Sequence, residues 1–296
     1  MSIVANNPAF LHQLKSDMEW LINTPSLVKT DDLYIETSHI PNLSATLEKK
    51  SKLIESIFEN AKNTVGDYFE RLVYLWLELQ PQYTNIEQHI KVFENKRTIG
   101  ELDFLLSDDL QNLTLHLEVA IKYYLLTEKN GERQFIGPNS KDTFLKKFNK
   151  LNQKQLKLPQ SPFAETVLTN RPKPIVSRGL LKGCLFYPSN SDWRAPASIY
   201  SSINAKHTKG WWTSIDKLNL PQTSPDSHWI VLKKPFWLAL PDVNQTQIFT
   251  HHEIKNILEE HFSKLAHPVF LAEVMQIQNK WLEQSRGFVV NKNWPE

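Results

Sequence analysis

The chain has 296 residues, of which 41% are hydrophobic and 22% charged, an ordinary globular composition with room for a sizeable core. Its 34 Lys and Arg against 32 Asp and Glu give a net charge of +2, which excludes a globally basic nucleic-acid binder and leaves any polyanion site to a local patch. The single cysteine, Cys184, excludes an internal disulfide and a Cys-based zinc site; with no apolar run of spanning length and no leader-like start, the expectation is a cytoplasmic protein without a membrane span.

In chain order, Phe10, Leu11, Leu14, Met18 and Leu21 recur at helical spacing behind Pro8, predicting a helix over 8–23. Residues 25–43 read as loop with at most a short strand at 33–35. A second helix is expected over 44–62. Thr64-Val65-Gly66-Asp67 is a capping signal for a helix that stops before Pro81, with Val65, Phe69, Leu72, Val73, Trp76 and Leu79 on its buried face. Glu70 lies off that stripe but has Val73, Tyr74 and Leu77 as helical neighbours, which makes it a candidate semi-buried carboxylate, with a surface Glu whose head stays in water as the plain alternative.

Three strands are expected next, over 86–94, 100–106 and 113–126, joined by short turns into an antiparallel meander. Residues 128–140 read as a polar loop. A helix over 142–158 carries Phe144, Leu145, Phe148, Leu151 and Leu156 on one side and Lys146, Lys147, Lys150, Gln153, Lys154, Gln155 and Lys157 on the other. Residues 174–187 form another strand, in which Gly179 and Gly183 signal bulges or close backbone approach. The remainder predicts insertion loops around Trp211-Trp212 over 188–228, one or two strands over 228–241, a capping box at Thr250–Glu253 opening a helix to Leu265, a further helix over 268–284, and a late strand over 286–290. The histidines of His251-His252-Glu253 point different ways from a helix start and read as part of the cap, not as ligands.

The chemistry concentrates in Gly100-Glu101-Leu102-Asp103 and Leu117-Glu118-Val119-Ala120-Ile121-Lys122. Alternate residues of a strand share a face, so Glu101 goes with Asp103, and Glu118 with Ala120 and Lys122. Charge inside apolar strands is costly unless it is paired or holds a metal. Carboxylates beside an ammonium on neighbouring strands suit a divalent cation and a phosphate. The plainer alternative is a set of salt bridges on the open face of an antiparallel sheet.

This ordered set, Glu70 on a helix, then Asp103, then Glu118 with Lys122, then a polar helix with Gln153 and Gln155, resembles the PD-(D/E)XK nuclease superfamily. More narrowly, the whole chain, including Arg178-Gly179 and Arg286-Gly287-Phe288-Val289-Val290, resembles an uncharacterised bacterial domain-of-unknown-function family, number 1853. The resemblance implies an α+β fold with an αβββαβ core and mixed sheet over 64–187, an N-terminal helical lead-in over 1–63, and a Trp-rich insert and C-terminal extension over 188–296 packed on the core. It implies Mg²⁺- or Mn²⁺-dependent phosphodiester hydrolysis in nucleic acid, with Asp103 and Glu118 as metal ligands, Glu70 as an accessory ligand, Lys122 as the catalytic lysine, and Glu101, Gln153 and Gln155 as accessory residues. Nucleic acid would meet Lys147, Lys150, Lys154, Arg178, Trp211 and Trp212. One departure stands out. The resemblance places lysine two residues after the acid, where this chain has Ala120, and Lys122 lies about 6.6 Å further along at about 3.3 Å per residue. That departure leaves open a nuclease fold that binds nucleic acid without cutting it; a third expectation is a scaffold that meets a protein partner through the Trp-rich insert.

Overall fold

The computed structural model describes residues 7–31, 33–129, 131–171 and 174–296, so the opening six residues of the expected lead-in lie outside the described residues. The protein is α+β. Helix α1 (Pro8–Asn23) starts at the expected proline, with the Asn7 side chain accepting from the Ala9 amide. The second expected helix is two: α2 (Leu43–Lys49) and α3 (Ser51–Phe58), with Lys50 leaving helical geometry between them and Asn60 in the left-handed region beyond. Helix α4 (Val65–Glu78) is capped by Thr64 and buries Val65, Phe69, Leu72, Val73 and Trp76 as its periodicity predicts.

Strands β1 (Tyr83–Glu94), β2 (Arg97–Asp108) and β3 (Leu113–Lys129) form the antiparallel meander. The polar loop expected after β3 contains a strand, β4 (Glu132–Ile136), which folds back on the far half of β3 and buries Phe135 and Ile136. Helix α5 (Phe144–Lys150) runs into a π-turn over Leu151–Gln155, and after two short 3₁₀ turns comes α6 (Glu165–Leu168). Strand β5 (Ile175–Pro188) lies parallel to β3 in unbroken register from Thr114↔Ile175 to Leu125↔Phe186. Its two glycines are therefore close approaches, not bulges. A Cβ on Gly179 would sit 2.8 Å from the Tyr34 ring, and Gly183, at φ +139°, brings its Cα so near β3 that a Cβ would stand 1.8 Å from the Lys122 carbonyl oxygen.

Beyond the core the chain continues the same sheet. Strand β6 (Thr208–Ser214) pairs parallel with β5, β7 (His228–Val231) forms the far edge, and α7 (His251–Lys264) opens on the predicted capping box. The helix expected over 268–284 is instead a hairpin, β8 (Val269–Ile277) and β9 (Lys280–Val290), turning through Gln278 and Asn279, both at positive φ. A run such as Val269-Phe270-Leu271-Ala272 fits a buried strand and a buried helix equally well by pattern. Pairing of β9 with β6 and of β8 with β7 decides for strand.

The spatial order is β1-β2-β3-β5-β6-β9-β8-β7, with β4 on the far half of β3. Parallel pairs occupy the centre and antiparallel pairs both flanks. Helices α1–α4 bury one face of the sheet together with Phe104, Leu117, Val119 and Ile121. On the other, Phe144 and Leu151 of the α5 segment and Ile254 and Leu258 of α7 cover Tyr124, Leu126 and Leu185. Among the described residues no helix is long and apolar enough to cross a membrane.

Candidate metal and phosphate site

The site begins with a parting of strands. β2 and β3 pair from Asp108↔Leu113 to Phe104↔Leu117 and then separate, while β4 takes up the same edge of β3 only from Leu125 onward. The next cross-strand neighbours would be Asp103 and Glu118. The Val119 amide, left without a strand partner, donates to Asp103 Oδ2 at 2.9 Å. The backbone gap is thus capped by a carboxylate, and a second carboxylate stands beside it.

Glu118 is completely buried. Its Oε1 lies 3.0 Å from His116 Nε2, and His116 Nδ1 lies 3.0 Å from Ser177 Oγ on β5. Its Oε2 accepts from the Gln155 side chain, whose Oε1 accepts from Lys147 Nζ at 3.0 Å. A chain of side chains therefore runs Ser177–His116–Glu118–Gln155–Lys147 across three elements. The π-turn makes the last link. Residues eight apart on an α-helix stand about 80° apart around its axis. The wider turn, closed by the Leu156 amide on the Leu151 carbonyl, rotates Gln155 back toward Lys147. Tyr34 holds this roof in place: its hydroxyl donates to Asn152 at 2.8 Å, and its ring stacks on Phe148 while covering Gly179.

The electrostatics follow from that crowding. Burial, and then the charge of Glu118, push Asp103 up to about 7; the Val119 amide pulls the other way, and Glu70 adds a weaker push. Lys147 is held below the usual lysine range by burial and by Lys122, against the pull of Asp103 and Glu118. Two carboxylates and one ammonium share a partly dehydrated space.

The other expected residues are placed differently. Lys122 turns to Asp142, with Nζ at 2.8 Å from Oδ2, and Tyr124 also donates to that oxygen. Burial alone would raise Asp142, but Lys122, Tyr124 and the Thr143 amide hold it below the usual carboxylate range. The expected strand lysine thus has a partner of its own, and Ala120 leaves no long side chain at the position that the resemblance gives to lysine. Glu101 is partly exposed and paired with His89 at 3.1 Å. Glu70 is half-buried, raised by burial, and influenced by His89, Asp67 and Glu101, while its own charge reaches Asp103; no group of three His, Cys, Asp or Glu able to hold a metal occurs among the described residues. Gln153 is exposed, while Gln155 is the glutamine that reaches Glu118. Arg178 donates to its neighbour's carbonyl at Ser177. Lys150 and Lys154 are exposed on the α5 segment.

The tryptophans do not form an exposed platform. Trp193, Trp211 and Trp229 are buried; Trp211 donates to Ser285 Oγ at 3.0 Å and Trp212 to the Leu126 carbonyl at 2.8 Å. Stacking on an unpaired base needs a free ring face, and Trp211 has none. Cys184 is likewise core. His116 and the forward position of Lys147 are the features that reading the sequence missed. His116 shares the face of Glu118 two residues earlier, which was legible; the approach of Lys147 required the π-turn.

The profile of a family described as a domain of unknown function, DUF1853, matches residues 16–290. The chain belongs to the DUF1853 family. No curated protein and no solved structure gives a significant match.

Proposed function

We propose that this DUF1853 protein is a divalent-metal-dependent nuclease. The observation that carries the reading is the placement of Asp103 and Glu118 side by side where β2 leaves β3, with Lys147 brought over them by Gln155. The element order supports it: helix α4, the meander β1–β3, helix α5 and parallel β5 follow the αβββαβ plan that the nuclease resemblance implies.

The donor set fits magnesium or manganese. Both side chains offer oxygen, and magnesium typically takes one or two carboxylates, filling its remaining positions with water and substrate phosphate. Asp103 Oδ1 bears no hydrogen bond among the described residues and is the oxygen available to an ion. A divalent ion there would polarise a phosphodiester and bring a water toward the pKa of a usable nucleophile. Asp103 and Glu118 would hold it. His116 and Gln155 fix the plane of the Glu118 carboxylate, as outer partners of metal ligands do. Lys147 offers the ammonium that meets phosphate charge, a role that the Asp142 pairing leaves Lys122 poorly placed to fill.

The test is a titration of Mn²⁺ to millimolar concentration into wild type, Asp103→Asn and Glu118→Gln, read as heat and as melting temperature, followed by cleavage of labelled single- and double-stranded DNA and RNA. The expected result is binding by wild type alone, with all three proteins folded, and metal-dependent cleavage that Lys147→Met abolishes. No response in wild type overturns the reading. A second reading, nucleic-acid binding without cleavage, is favoured by one observation: both Glu118 oxygens already accept hydrogen bonds from side chains. Mn²⁺ binding with no cleavage of any of the four substrates would favour it.

A further inference from the structure

The 141–157 segment holds six lysines and one aspartate, a local net charge of +5 in a chain whose total is +2, so that the rest of the molecule is net negative. Of the six, Lys147 turns inward and bonds to Gln155, and Lys141 is exposed ahead of the helix. The remaining four, Lys146, Lys150, Lys154 and Lys157, are exposed and recur at intervals of four, four and three residues along the outer side of α5, the π-turn and the residue pair that follows. At about 1.5 Å per residue the row is roughly 16 Å long.

Two observations separate this row from an ordinary solvated helix face. None of the four has an ion-pair partner among the described residues, whereas the exposed Lys264 of α7 pairs with Glu260 one turn away. The segment's inner side also closes on Glu118 through Gln155, so the row lies on the back of the element that roofs the carboxylates. Four like charges so spaced repel one another and destabilise the segment by themselves, a cost that a polyanion lying along them would relieve.

We propose that Lys146, Lys150, Lys154 and Lys157 form a phosphate track that one nucleic-acid strand follows to the Asp103–Glu118 site. The proposal rests on the nuclease reading for the strand's destination, but the track itself is a matter of charge and needs no metal. Neutralising a phosphate releases condensed counterions, so each contact contributes about 0.7 to the slope of log affinity against log salt for a single strand and about 0.9 for a duplex.

The experiment is fluorescence anisotropy of labelled 20-nucleotide single-stranded and duplex DNA and RNA over a salt series in EDTA. It uses the full chain as wild type, as the Lys146/Lys150/Lys154/Lys157→Gln variant, and as a control with Lys49, Lys50, Lys52 and Lys62→Gln, which loses the same charge from another exposed surface. The track predicts that the first variant lowers the salt slope by about 3 for a single strand or about 4 for a duplex, and that the control leaves it unchanged. Equal loss in both variants, or no loss in the first, overturns it. So does binding of polyglutamate, but of no nucleic acid, that the first variant abolishes, since the row would then serve an acidic protein. Mn²⁺ titration of the same proteins separates the two claims. The track variant retains metal binding if the site is as described, and its slope result stands whether or not Asp103 and Glu118 bind an ion.

Discussion

Two strand glutamates, Glu118 on β3 and Glu273 on β8, are both completely buried, and their surroundings differ in kind. Glu273 accepts from the Thr223 amide, the Thr223 and Ser227 hydroxyls and the Ser285 hydroxyl, which in turn accepts from Trp211. Its lone pairs are satisfied by neutral donors from a loop and a neighbouring strand, and this fastens residues 223–227 to the sheet. Glu118 has two lateral donors and then a second carboxylate, Asp103, within its field. Burial alone therefore does not mark a functional acid. What distinguishes Glu118 is a buried like charge left without a full complement of donors, an arrangement that is costly by itself and that a cation, on the proposed reading, would relieve.

The largest effects should come from the structural side of this comparison. Trp211→Ala should destabilise the fold by about 3–5 kcal/mol in urea unfolding, because it opens a cavity between β6 and β9 and leaves Ser285 with one partner fewer. Retention of full stability would show that the tryptophan cluster is not core. Glu273→Ala should follow at about 3 kcal/mol, as several buried donors lose their acceptor together. Glu118→Gln should instead stay within about 1 kcal/mol of wild type, since relief of the repulsion with Asp103 offsets the weakened hydrogen bonds to His116 and Gln155. Equal losses for Glu118→Gln and Glu273→Ala would dissolve the distinction.

A pH series sharpens it. Asp103 sits near 7 in the folded protein against about 3.9 in an unfolded chain. Between those values the folded state keeps a proton that the unfolded state has released. Stability from this group is thus fullest below about pH 4, falls as pH rises, and is lost above about pH 7. Asp103→Asn removes the dependence. In EDTA it should melt close to wild type at pH 5 and above it at pH 8, by an amount equivalent to a few kcal/mol at most. A constant difference across that range would place Asp103 in an ordinary solvated setting. The smallest expected effect is at the outer partner: His116→Gln should keep a donor for Glu118 and reduce Mn²⁺ affinity less than His116→Ala does, which should lower it about 10–100-fold.

The elements were legible where local chemistry specifies them. Pro8, Thr64 and the Thr250–Glu253 box start their helices as read, and the meander follows from alternation and short turns. Asp103 and Glu118 stood out because acids interrupt apolar strands. Lys122 and Glu101 were grouped with them by strand parity, which fixes a face but not a partner. Asp142 and His89 took those charges, and neither pairing leaves a trace in local spacing.

By itself the sequence determined the α+β plan, the caps, and the two acids that interrupt β2 and β3, because these depend on neighbours a few residues away. Tertiary structure decided what depends on distant chain. It made 268–284 a hairpin by offering β6 and β7 as partners, and it consumed the tryptophans in packing. It also parted β2 from β3 at Asp103 and, through one π-turn, set Lys147 in place of Lys122 beside the carboxylates. A side chain's charge is written in the sequence; which opposite charge it meets is settled only when remote strands and helices close the space between them.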